Sequence, residues 1–148
     1  MSLLFFRELA MWTRYIWPIA LATAIFYSSS RQPVNFTTTW NIHHTDKLAH
    51  FVIFGLLAVS CCRLDLLGKH RPFANAVLAV ILTSFYGYLD ELHQSTTPGR
   101  MVEFADWVAN TAGALVGVGL YTLWPRGRRI LEMEISFNFP KWLYRKSK

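Results

Sequence analysis

The chain has 148 residues, 53% of them hydrophobic and 16% charged, with a net charge of +6. Four apolar runs separated by polar punctuation exclude a disordered chain and fit one small membrane domain better than a soluble core, although buried soluble helices also carry runs of this length. No nucleic-acid-binding motif accompanies the positive charge, so no nucleic-acid partner is expected.

The first run, Trp12 to Tyr27, has Arg7 and Arg14 ahead of its apolar stretch and precedes Ser28, Ser29 and Ser30, much as a signal peptide would. Its bulky Trp12, Tyr15, Trp17 and Tyr27, and the runs that follow, favour an uncleaved anchor. The second run, Leu48 to Cys62, is short but extends back through Thr45-Asp46-Lys47 and forward through Arg63 to Leu67, because Lys and Arg heads snorkel to an interface. Its Cys61 and Cys62 have no metal-type spacing and read as small buried apolar residues. The third run is Phe73 to Leu89; the fourth, Trp107 to Trp124, is ended by Pro125 and Gly127.

Each run approaches the roughly 20 residues that a helix needs to cross about 30 Å of hydrocarbon. The expected fold is all-α, a polytopic membrane protein with four transmembrane helices. Ala105, Ala109, Gly113 and Gly117 recur every four residues, which predicts close packing of the fourth helix, within the molecule rather than in a dimer. Thr83, Ser84, Asn110 and Thr111 offer interhelical hydrogen bonds. Residues 126–148 form a basic tail with Trp142 and Tyr144; the alternation of Leu131, Met133, Ile135, Phe137 and Phe139 predicts a strand or extended segment on the membrane surface.

Placing both termini in the cytoplasm leaves only Arg31, Lys47 and Arg100 outside among the Lys and Arg residues, as the positive-inside bias requires. Asp46 to His50, Asp90 to Gln94 and Pro98 to Asp106 then converge at the extracytoplasmic end. Asp46 and His50 share a helix face, as do Asp90 and Gln94, while Glu103, Asp106 and Asn110 form one stripe. Ionisable groups at such depth pair, line a wet cavity or bind a ligand. His43 and His44, beside Trp40, read as interfacial and stay outside the site. A pore is disfavoured, since no second polar layer crosses the middle.

Asp46-Lys47-Leu48-Ala49-His50-Phe51, Phe54-Gly55-Leu56-Leu57, Gly87, Asp90-Glu91-Leu92-His93-Gln94, Pro98-Gly99-Arg100, Asp106, Asn110 and Gly113, in this order, resemble the VanZ-like membrane protein family. The Ser29-Ser30-Arg31-Gln32-Pro33 stretch is also similar to that family's, and the likeness runs from about Ile25 to Gly117. Glu103 stands where that family often has Asp, and the chain from Arg126 matches nothing in it. The resemblance implies a VanZ-like domain over residues 1–125, a cytoplasmic tail over 126–148, and a bacterial cytoplasmic membrane. The founding member's association with teicoplanin resistance implies a link to the cell envelope, without supplying a molecular activity.

Three readings of the site follow. In the first, Asp46, His50, Asp90, Glu91, Gln94, Arg100 and Asp106 engage a cell-envelope lipid or its head group, such as that of a peptidoglycan precursor, with Arg100 and His93 holding the anion. The competing structural reading pairs Arg100 with Glu103 or Asp106. In the second, these side chains bind a divalent metal that assists an enzyme acting on a phosphorylated or lipid-linked substrate. Against it, Asp90 and Glu91 are neighbours that point about 100° apart on a helix and are not expected to face one ion; a metal-free acid/base route would rest on a carboxyl near His50 or His93. The third is a structural membrane scaffold.

Overall fold

The computed structural model describes residues 3–31, 42–98 and 100–124. They form α1 (Leu3–Ser29), α2 (Ile42–Cys62), α3 (Pro72–Gln94) and α4 (Phe104–Leu123), with no strand among the described residues. The all-helical expectation therefore holds. The extended segment expected in the tail, and the side chains of Trp40, His43 and His44, lie outside the described residues.

Helix boundaries follow local chemistry. Pro72 opens α3, where its fixed φ suits the first turn and its missing N–H leaves no intrahelical bond unmade. Asp106 lies in the first turn of α4, at the positive end of the helix dipole. The second helix does extend back past Lys47, as expected, but it stops at Cys62 instead of continuing to Leu67. Asp65 at φ 51° and Gly68 at φ 92° take left-handed conformations that turn the chain, and Asn75 fastens the turn by accepting from Leu67 N–H at 2.8 Å and donating to the Gly68 carbonyl at 2.9 Å.

The most extensive helix contact is between α2 and α4, and glycine makes it possible. A Cβ on Gly113 would run into the Phe51 carbonyl, and one on Gly117 would lie 2.7 Å from the Gly55 carbonyl oxygen. The four-residue spacing thus serves packing inside the molecule, as expected. Around this spine Ala58, Cys62, Ala79, Ala114, Val118 and Tyr121 form one apolar cluster, with Cys61 packed against it; Ile25, Phe54 and Leu57 form another. Ser84 Oγ and Thr111 Oγ1 meet at 2.7 Å, joining α3 to α4, and Tyr86 donates its hydroxyl to the Ala22 carbonyl at 2.7 Å, joining α3 to α1.

Polarity is distributed inside out. Ile19, Val52, Leu56, Phe85 and Leu120 are exposed, while Asn75, Asp90, Glu91, Asp106 and Asn110 are buried. Among the described residues α3 is the one helix long and apolar enough to cross a membrane by itself. In α4, Asp106, Asn110, Gly113 and Gly117 lower the mean hydropathy because they serve the interior.

Candidate functional site

The C-terminal ends of α1 and α3 and the N-terminal ends of α2 and α4 meet at one end of the bundle. There a cleft of about 390 Å³ opens, lined by Asp46, His50, Asp90, Gln94 and Arg100 together with Ser28 and Ser29. Its remaining wall, which includes Ala24, Ile25, Ala49, Ile53 and Phe54, is apolar. Five of the seven residues singled out from the sequence therefore share one cavity wall.

The i, i+4 relation on α3 is realised as a bond: Gln94 Nε2 donates to Asp90 Oδ2 at 2.9 Å. Arg100 Nη1 donates to Gln94 Oε1 at 2.6 Å, so a chain of hydrogen bonds runs from guanidinium to amide to carboxylate. The structural pairing expected for Arg100 is instead made by Lys47, whose Nζ lies 2.7 Å from Asp106 Oδ1 and 2.9 Å from Glu103 Oε2. Lys47 is one turn before Phe51 on the α2 face that meets α4, whereas Arg100 leaves the α3–α4 connection on the side of α3. Asp106 is thus a partner of Lys47 and does not line the cleft.

His93 also departs from its expected place. Its ring stacks on Phe26 at 4.4 Å and its Nε2 lies 2.8 Å from Ser30 Oγ, which fixes it against α1 and outside the cleft lining. The aromatic face of α1 offered a contact that helix-face reasoning within α3 alone does not reveal.

His50 is the point where the helices come together. Its Nδ1 lies 3.0 Å from Asn110 Oδ1, and because that amide oxygen only accepts, the proton of the pair belongs on Nδ1. Nε2 is left with its lone pair in the neutral ring. The ring also lies parallel to Phe54, with centroids 6.1 Å apart. Gly87 gives Asn110 room, for a Cβ there would stand 3.0 Å from Asn110 Nδ2 and 3.2 Å from Phe54.

Glu91 sits behind the cleft wall, 1% exposed. One carboxylate oxygen, Oε2, accepts from the Glu103 backbone N–H at 3.2 Å; Oε1 has no hydrogen-bond partner among the described residues. The divergence expected of Asp90 and Glu91 does not keep them apart. An oxygen of each and a nitrogen of His50 all lie within 4.8 Å of one another. His50 belongs to a second such group with Asp46 and Asp106.

The sequence alone places Lys47 as a snorkelling end residue and leaves Asn110 outside the site, yet the position of Lys47 between Asp46 and His50 is a signal that it faces acidic partners. Asn110 was part of the α4 stripe but had no visible partner until α2 and α4 were brought together.

The family model of VanZ/LLP1 matches residues 1–125. No curated protein and no solved structure matches the chain.

Proposed function

This chain belongs to the VanZ/LLP1 family, and from its cleft we propose that it is a four-span protein of the bacterial cytoplasmic membrane that engages the anionic head group of a cell-envelope lipid. Both termini face the cytoplasm and the cleft opens at the extracytoplasmic end, in keeping with the charge asymmetry of the sequence. The exposed apolar faces of all four helices support lipid contact, since burying them in hydrocarbon removes the cost of leaving them in water.

The observation that carries this reading is the amphipathic lining of one cavity. Arg100 and the Ser28 and Ser29 hydroxyls stand at its polar part, while Ile25, Ile53 and Phe54 offer a track for a hydrocarbon chain. Arg100 gives one of its five N–H groups to Gln94, and among the described residues no other hydrogen bond engages the rest, which can bind phosphate oxygens. A peptidoglycan-precursor lipid satisfies both halves of the cleft, and a link to glycopeptide response would pass through it.

The test is native mass spectrometry of protein released from mixed phosphatidylcholine and phosphatidylglycerol vesicles. Retention of the anionic lipid over the zwitterionic one, reduced at least about tenfold by Arg100→Ala, is the expected result, tenfold being about 1.4 kcal/mol and within the range of one charge-assisted bond. Equal retention of both lipids, or no effect of Arg100→Ala, refutes the head-group reading.

A further inference from the structure

Lys47 bridges Asp106 and Glu103, whereas among the described residues no salt bridge reaches the carboxylates of Asp90 and Glu91. Asp90 receives the Gln94 amide and Glu91 a backbone N–H, both neutral donors. Two carboxylates held this close in a buried setting repel unless a proton or a cation joins them.

We propose that His50, Asp90 and Glu91 bind one first-row divalent cation such as Mn2+ or Zn2+ at the inner wall of the cleft. Their donor atoms lie within 4.8 Å of one another. Three ligands on one cation at bond lengths of about 2.1 Å average no more than about 3.6 Å apart, so the three side chains must draw together by up to about an ångström to close the site. Independently of that spacing, Glu91 Oε1 is a fully buried carboxyl oxygen with no hydrogen-bond partner among the described residues, a group that a protein interior rarely leaves alone.

The chemistry of the set selects the class of ion. An imidazole nitrogen with two carboxylate oxygens favours Mn2+ or Zn2+ over Ca2+, which takes six to eight oxygen ligands. Asn110 supplies the outer support characteristic of metal-bound histidine: by accepting from Nδ1 it orients the ring and leaves Nε2 available for an ion. Three protein ligands leave at least one coordination position for an oxygen from the cleft, into which His50 and Asp90 face. The cation would thereby turn an acidic wall into a receptor for an anionic oxygen, which deepens the head-group reading; metal binding itself is measured without an anionic ligand, so either idea can fail alone.

The full chain in phosphatidylcholine nanodiscs is titrated with Mn2+ and free ion is read by electron paramagnetic resonance. One bound Mn2+ is expected, with affinity lowered at least about 100-fold by Glu91→Gln and by Asp90→Asn, and about 10- to 100-fold by Asn110→Ala. Circular dichroism and melting of each variant confirm folding, and the isosteric Glu91→Gln keeps the test valid should Asn110→Ala unfold. Absence of binding to the folded wild type, or binding unchanged in folded Glu91→Gln and Asp90→Asn, overturns the proposal.

Discussion

At the α2–α3 turn the buried Asn75 amide uses both of its functions: Oδ1 accepts from Leu67, and Nδ2 donates to Gly68 and, at 3.3 Å, to Asp65. At the opposite end Glu91 and Asn110 are buried at least as deeply, yet Glu91 Oε1 and Asn110 Nδ2 have no hydrogen-bond partner among the described residues. Both ends place polar side chains among helices, so burial alone does not distinguish a fastening from a site. What separates them is completeness: the fastening closes its hydrogen bonds within ten residues of chain, whereas a site gathers groups from three helices and leaves some facing a cavity.

The strongest way to break this comparison is to move the spine from which both ends hang. Gly113→Ala puts a methyl group into the Phe51 carbonyl, and backbone on both sides leaves nothing flexible to yield. A loss of about 3 kcal/mol or more is expected, read as a fall in the detergent midpoint of unfolding, and the cleft should lose its ligand along with the fold. Asn75→Ala tests the fastened end alone. It removes three hydrogen bonds and should cost about 2 kcal/mol in the same unfolding assay, with lipid retention by the surviving folded protein unchanged.

Much of this architecture was legible in the sequence, for identifiable reasons. Apolar run length located all four helices, and the glycine repeat on α4 located its closest neighbour surface, because both signals depend on spacing along one chain. Asp46, His50, Asp90, Gln94 and Arg100 came together as expected because the helix ends alternate and the short 63–71 and 95–103 connections fix α2, α3 and α4 as antiparallel neighbours. What stayed illegible was pairing between helices. The choice of Lys47 over Arg100 for Asp106, the stacking of His93 on Phe26, and the partnership of Asn110 with His50 depend on relative helix rotation, which no single-helix period encodes. The meeting of Asp90 and Glu91 was missed for another reason: backbone direction predicts where Cβ points, not how far a glutamate carboxyl returns.

Two substitutions with smaller effects sharpen the contrast within the site end itself. Lys47→Met removes the cation beside the buried Asp106 and should destabilise by about 1 kcal/mol, a modest value because Lys47 is itself 31% exposed and the pair is partly screened. Glu91→Gln should do the opposite. The amide oxygen can still accept from Glu103 N–H, while the buried negative charge beside Asp90 is gone, so in metal-free buffer the midpoint of unfolding should hold or rise by up to about 1 kcal/mol. Adding Mn2+ should then raise the midpoint of the wild type but not that of Glu91→Gln, since only a cation that binds the folded state contributes stability. A clear loss of stability in metal-free Glu91→Gln would class Glu91 with Asn75 as a fastening, and the distinction between the two ends would fall at the residue on which it most depends.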